Sequence, residues 1–177
     1  MDNIQLIEKY NIPKGSIIFI NYYFSITRLF NPSKDKHVAI YYGKCNNTIH
    51  LNYCNINDPF VIEATCFGGV RTNTLDNFFK NNKNFKIYVL QQDPISLLRM
   101  SIAADTAFDF VGTPYGFGSD SLYCFKLIAD CYKIAGIETH FEHILGKEFV
   151  LSQSFTKNAQ WKKIYDSSTS KHNIVCS

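Results

Sequence analysis

Thr113-Pro-Tyr-Gly-Phe-Gly-Ser-Asp-Ser-Leu-Tyr-Cys-Phe-Lys-Leu-Ile128 is where this chain changes character. Its first six residues are the Gly, Pro and aromatic mixture of a tight loop. Asp120 or Ser121 then has the side chain to cap a helix over residues 123–135, which Gly136 stops. Upstream of this stretch the patterns are mostly those of strands. Ser16-Ile-Ile-Phe-Ile20 suits a strand buried on two faces, and His37-Val-Ala-Ile-Tyr-Tyr42 closes on Gly43. Phe60-Val-Ile-Glu-Ala-Thr65 turns at Gly68-Gly69 into Val70-Arg-Thr-Asn73, and Phe85-Lys-Ile-Tyr-Val-Leu90 alternates as a strand should. Residues 49–53 read as one further strand, and residues 75–80 as one or two helical turns.

Closer to the loop, Asp93-Pro94 reads as an N-cap followed by proline at the first helical position, with Gly112 as the stop. Ile95, Leu98, Ile102 and Thr106 share one face of that helix and predict its buried stripe, widened by Met100, Ala104, Phe108 and Val111. Beyond Gly136, residues 140–154 read as short helical turns, residues 161–165 as a strand and residues 166–177 as a frayed end. Strands first and helices later predict an α+β fold, an antiparallel sheet packed against helices.

Composition sets the outer bounds. The chain has 177 residues, 46% hydrophobic and 19% charged, with 15 Phe and 11 Tyr, enough to build one well-filled core. A single domain over residues 1–177, with its core within 15–165, is expected. The formal net charge of +3 is too small and too scattered to argue for nucleic acid. Met1-Asp-Asn-Ile-Gln5 lacks the layout of a signal peptide, and no apolar run is long enough to span a bilayer. The six cysteines show no C-x-x-C pair and no zinc-type spacing with histidine, so free thiols in a reducing compartment are expected, with no structural metal.

Cys124 is the candidate nucleophile. It sits in the first helical turn after a Gly-rich loop, where unpaired N–H groups and the helix dipole favour a thiolate and can hold an oxyanion. The alternative is a buried thiol packing as a small hydrophobe, the role assigned to Cys131 in mid-helix. A thiolate needs an imidazole. His37 opens a strand that would hold it rigidly, whereas His50 and His172 lie in polar or terminal segments, and His140 and His143 follow the helix. Glu63, mid-strand between apolar neighbours, either orients such an imidazole or faces solvent. Asp105 and Asp109 read as a solvated stripe.

Gly15-Ser-Ile-Ile-Phe19, His37-Val-Ala-Ile-Tyr-Tyr-Gly43, Val61-Ile-Glu-Ala64, Gly69-Val70, Pro114-Tyr115 and Tyr123-Cys-Phe-Lys-Leu-Ile128, in this order, resemble the NlpC/P60 superfamily of papain-like thiol enzymes. The order of the motifs is that of the circularly permuted branch, in which the His and a polar residue precede the Cys. This branch includes YiiX/YebB-like bacterial proteins and the lecithin:retinol acyltransferase group. The likeness is most pronounced with its poxvirus members, which share the Pro-Tyr-Gly-Phe-Gly loop, Ile144-Leu-Gly-Lys147 and Leu151-Ser-Gln153. The resemblance implies Cys124 as nucleophile, His37 as base and Glu63 as the group orienting it, without metal or organic cofactor. It places Tyr115 and Tyr123 in pocket walls. Phe125 and Lys126 stand beside them, where bacterial relatives carry Ser and Glu; Lys126 would favour an acidic or phosphate-bearing substrate.

The implied activity is that of a cysteine hydrolase or acyltransferase, forming an acyl-thioester on Cys124 with an amide, ester or lipid-linked substrate. The implied setting is the cytoplasm of an infected host cell, where partners would be a small-molecule, lipid or peptide acyl substrate, a host protein or membrane lipid. Two other readings compete: a catalytically silent papain-like module that binds an acylated or peptide partner, and an interaction protein in which Cys124 is core. The oligomeric state is not legible.

Overall fold

The computed structural model describes residues 11–21, 32–44, 58–80, 84–91 and 93–170. In chain order its elements are β1 (Ile17–Ile20), β2 (His37–Lys44), β3 (Pro59–Thr65), β4 (Gly69–Thr74), α1 (Leu75–Phe79), β5 (Phe85–Leu90), α2 (Pro94–Asp109), α3 (Cys124–Ile134), β6 (Glu142–Ile144), β7 (Lys147–Phe149), α4 (Ser152–Thr156), β8 (Trp161–Asp166) and α5 (Ser167–Ser170). Six strands form one sheet in the order β4-β3-β2-β1-β5-β8, antiparallel at every pairing. The α+β expectation therefore holds.

Strand alternation separates two cores. Ile17, Phe19, Val38, Ile40 and Ile62 pack on one face with α2 and α3. Ile18, Ile20, Ala39 and Val61 pack on the other with Leu75, Phe78 and Phe79 of α1. All four β1 residues are fully buried, which is why a continuous apolar run, not an alternating one, encodes this central strand. On the helical side Phe19 meets Tyr88 edge-on at 5.5 Å between ring centroids, and Phe125 at 6.4 Å.

The cap at Asp93 forms as the sequence predicts: its carboxylate accepts from the N–H groups of Ile95 and Ser96, each at 2.9 Å. The buried stripe of α2 is different from the expected one. Met100, Ala103, Ala104 and Ala107 are fully buried, while Ile95, Leu98 and Ile102 are exposed. The reason is closeness. A Cβ on Gly15 would lie 2.1 Å from the carbonyl oxygen of Met100, so α2 packs with its backbone against the chain entering β1. Only alanine-sized side chains fit such an approach on the turn that follows, and the branched residues are turned outward.

Three further expectations are corrected. Residues 140–154 form a two-stranded hairpin, β6 with β7, ahead of α4. Its turn, Leu145-Gly146, has φ of 51° and 74°, the paired left-handed geometry that suits a two-residue hairpin. The end after Asp166 is anchored at its start, because the Ser167 hydroxyl accepts from Phe85 N–H at 2.9 Å. α3 begins at Cys124 with Tyr123 as N-cap and no side-chain cap bond; the Ser121 hydroxyl accepts from Gly118 N–H instead. The strand expected at residues 49–53, and His50 with it, lies outside the described residues, as do His172 and residues 171–177.

Gly15 also has a φ of +89°, and its carbonyl accepts from the buried Tyr132 hydroxyl at 2.5 Å. Gly15→Ala combines a steric clash with a strained backbone and should lower the unfolding free energy by about 3 kcal/mol or more. Urea titration followed by the emission of Trp161 would measure this; a loss below about 1 kcal/mol would contradict the close approach.

Candidate functional site

The site lies at one end of the sheet, where β2 starts, the β3–β4 hairpin turns and the 113–123 loop delivers α3. His37 is the first residue of β2, and Glu63 sits in β3 opposite Ala39, two residues along from His37. The His37 Nε2 to Glu63 Oε2 distance is 2.7 Å, and the two side chains are 8% and 1% exposed. An ionised carboxylate only accepts, so Nε2 carries the proton in this bond and Nδ1 is left to face the third member. That member is Cys124, whose thiol hydrogen-bonds the ring of His37. The structure brings Cys124, His37 and Glu63 together.

The electrostatics follow from burial against partners. Burial alone would lower the pKa of His37, but its bonds to Cys124 and Glu63 outweigh the loss of water and push it up to about 10. Burial would likewise raise the Glu63 carboxyl; the bond from His37 and the charges of His37 and Arg71 hold it below its ordinary value instead. The second carboxylate oxygen is filled from β4. Arg71 donates to Glu63 Oε1 from Nε at 3.2 Å and Nη2 at 3.0 Å, and Asn73 Nδ2 donates at 3.0 Å. Glu63 is thus a fully solvated ion whose solvent is protein.

Arg71 and Asn73 did not emerge from the sequence reading. A signal existed: the Gly68-Gly69 turn pairs Glu63 with Arg71 and Val61 with Asn73, so alternation aims Arg71 and Asn73 at the face that carries Glu63.

Each component is clamped by its own contacts. The turn before His37 is tied to α4: Asp35 N–H donates to Ser152 Oγ, and Ser152 N–H to Ser33 Oγ, each at 3.1 Å. This is the structural work of the Leu151-Ser-Gln153 stretch. The loop before Cys124 is tied to β4 by Val70 N–H to Thr113 O and Gly112 N–H to Val70 O, each at 2.8 Å. A Cβ at Gly69 would lie 2.4 Å from Thr113 O, so glycine there lets the loop dock.

Cys124 is 4% exposed and leads α3. Tyr115 lies beside it and hydrogen-bonds Cys66; burial and the two cysteines push its phenol up. The Tyr123 hydroxyl accepts from Val150 N–H at 2.8 Å, and its ring stacks on Phe117 at 4.9 Å. Tyr115 and Tyr123 therefore both lie close to the Cys124 thiol. Phe125 does not line a pocket: it is 1% exposed and packs against Phe19 in the core, because the second position of α3 points into the sheet. Lys126 is held by Asp130 at 2.6 Å, one turn on, which directs its charge along the helix.

Cys131 is fully buried and burial pushes its thiol up, as an inert core cysteine requires. His143 pairs with Glu148 on the β6–β7 hairpin. Asp105 accepts from Tyr42 and Lys14 on the α2 surface. Among the described residues no group of three His, Cys, Asp or Glu side chains could hold a metal ion. No described helix is long and apolar enough to cross a membrane.

Comparison with known proteins gives a consistent placement. Residues 11–165 match the model of a family described as "Permuted papain-like amidase enzyme, YaeF/YiiX, C92 family". The chain is 48% identical over 167 residues to Protein OPG091 of vaccinia virus strain Western Reserve, covering 94% of this chain and 92% of that protein. It is 47% identical to Protein OPG091 of monkeypox virus and 46% identical to that of variola virus isolate Human/India/Ind3/1967, each over the same shares. With a match that spans the sheet, α3 and all three residues of the Cys-His-Glu cluster, the chain belongs to the permuted papain-like amidase family.

Proposed function

We propose that this protein is a thiol acyl-transfer enzyme in which Cys124 is the nucleophile, His37 the general base and acid, and Glu63 the group that orients His37. The observation that supports this most directly is the buried 2.7 Å bond from His37 Nε2 to Glu63, which leaves the other ring nitrogen for Cys124. His37 Nδ1 takes the thiol proton, and the sulfur attacks an amide, ester or thioester carbonyl. The charge that develops on the carbonyl oxygen meets the first N–H groups of α3, which no side chain caps. His37 then protonates the leaving group, and water or another acceptor releases the acyl group from Cys124. Whichever acceptor prevails makes the enzyme a hydrolase or an acyltransferase. The poxvirus relatives support a substrate within an infected host cell.

Three measurements test this reading. Iodoacetamide should alkylate Cys124 at neutral pH at least about tenfold faster in wild type than in His37→Ala. Peptide mass spectrometry reports it, and equal rates would refute the pairing.

The pH profile carries a sign. Leaving-group protonation needs the imidazolium, which is present below about pH 10 and lost above it. With an anilide substrate, whose leaving amine requires a proton, kcat/KM should therefore fall as pH rises through about 10. Glu63→Gln removes an anion that raises His37, so the falling limb should move to lower pH. A limb unmoved by that substitution would exclude the orienting role.

Arg71→Ala or Asn73→Ala removes donors from Glu63 Oε1. Glu63 then has fewer competitors for its charge, so NMR titration of the His37 ring should give a midpoint above that of wild type, whereas an unchanged midpoint would show that the β4 donors do not reach the His37–Glu63 pair.

A further inference from the structure

Arg71 connects the inside of the site with the outside. Its side chain is 51% exposed, whereas the Glu63 carboxylate it pairs with is 1% exposed. A guanidinium carries five N–H groups in one plane, arranged as a side fork from Nε and one Nη and an end fork from the two Nη atoms. Arg71 uses the side fork on Glu63 Oε1, through Nε at 3.2 Å and Nη2 at 3.0 Å. Among the described residues no other acceptor takes its N–H groups, so the end fork is left to solvent. Asn73 donates to the same carboxylate oxygen at 3.0 Å, so neutralising Glu63 does not by itself call for a guanidinium that stands half in water.

The β3–β4 turn sets this guanidinium beside the thiol. A Cβ on Gly68 would lie 3.1 Å from Arg71 Cδ and 3.5 Å from Nη1, so glycine there lets the side chain lie close along the turn. Cys66, in the same turn, bonds Tyr115, which stands next to Cys124. Val70, the residue before Arg71, is tied to the loop that leads to Cys124 through its N–H to Thr113 O at 2.8 Å. Lys126, the cation that the sequence offers for reading charge, is held by Asp130 instead.

We infer that the end fork of Arg71 binds a carboxylate or phosphate group on the molecule that Cys124 acts on, and so selects an anionic substrate. Two parallel N–H groups match two oxygens of such a group, a bidentate fit that a lysine cannot supply. Arg71 then has two partners, Glu63 on the inner side of its plane and the substrate anion on the outer. The inference rests on the acyl-transfer reading, because it names the class of substrate that site takes.

Thiol reagents of graded length test it on the full chain. Iodoacetyl derivatives of glycine, β-alanine, γ-aminobutyrate and ε-aminohexanoate are each compared with the neutral methylamide, and alkylation of Cys124 is followed by peptide mass spectrometry. In wild type one length should favour the carboxylate over its methylamide by about tenfold or more, relative to the same pair reacting with glutathione. Arg71→Gln should bring that ratio down to the glutathione value, and Arg71→Lys should restore part of it. Each ratio is taken within one variant, so a change in Cys124 reactivity transmitted through Glu63 cancels. In wild type, inorganic phosphate should suppress the preference without slowing the methylamide. A parallel series ending in phosphonate separates the two sources, the larger ratio naming the group. The methylamide rates, compared with those of His37→Ala, report the Cys124–His37 pairing alone, so failure of the acyl-transfer reading is distinguished from failure of the anion site. A glutathione-like ratio at every length in both series, or a preference that persists in Arg71→Gln, would overturn the inference.

Discussion

A carboxylate that is 1% exposed has to be neutralised where it stands, and Glu63 is neutralised from two strands at once. His37 in β2 takes one oxygen, and Arg71 and Asn73 in β4 take the other. An unpaired charge at this depth would cost several kcal/mol, so the carboxylate, imidazole and guanidinium act as one unit whose members hold each other's protonation states. The order β4-β3-β2 in the sheet is what permits this, because it puts donors on each side of the strand that carries the acid. The imidazole is then fixed in tautomer and direction before any thiol is brought to it.

Bringing the thiol is the task of the helical layer, and that layer is positioned by contact at the backbone level. Gly15 meets Met100 of α2 directly, and Tyr132 of α3 bonds the Gly15 carbonyl, so one residue ahead of β1 locates two helices. The same closeness explains why α2 buries alanines and exposes Ile95, Leu98 and Ile102. A larger side chain on the inner face would lift α2 and, with it, the loop that is pinned to β4 through Gly69 and Thr113.

These causes also explain what could be read from the sequence. The central strands were legible because burial on two faces leaves unbroken apolar runs, and Cys124, His37 and Glu63 because each is chemically out of place in its segment. The α2 stripe departs from its periodicity because periodicity ranks residues by hydrophobicity, while a backbone-to-backbone approach selects by size. The hairpin at residues 142–149 is hidden in the sequence because its Leu145-Gly146 turn lacks the Asn or Asp that signals left-handed geometry. Arg71 and Asn73 were missed because a donor's role is visible only once its strand's register against the acid is known.

The start of α3 runs against local preference. Asp120 and Ser121 have the side chains that cap helices, and a helix start normally uses them. Here the Ser121 hydroxyl is occupied by Gly118 N–H within the loop, and the helix starts later, at Cys124, behind a tyrosine that cannot cap. Local preference is overridden at the helix start that carries the Cys124 sulfur. In the acyl-transfer reading proposed above, a side-chain oxygen on the first turn of α3 would occupy the donors that an oxyanion needs. The loop keeps the Ser121 hydroxyl employed within itself, and so leaves the first N–H groups of α3 without a side-chain cap.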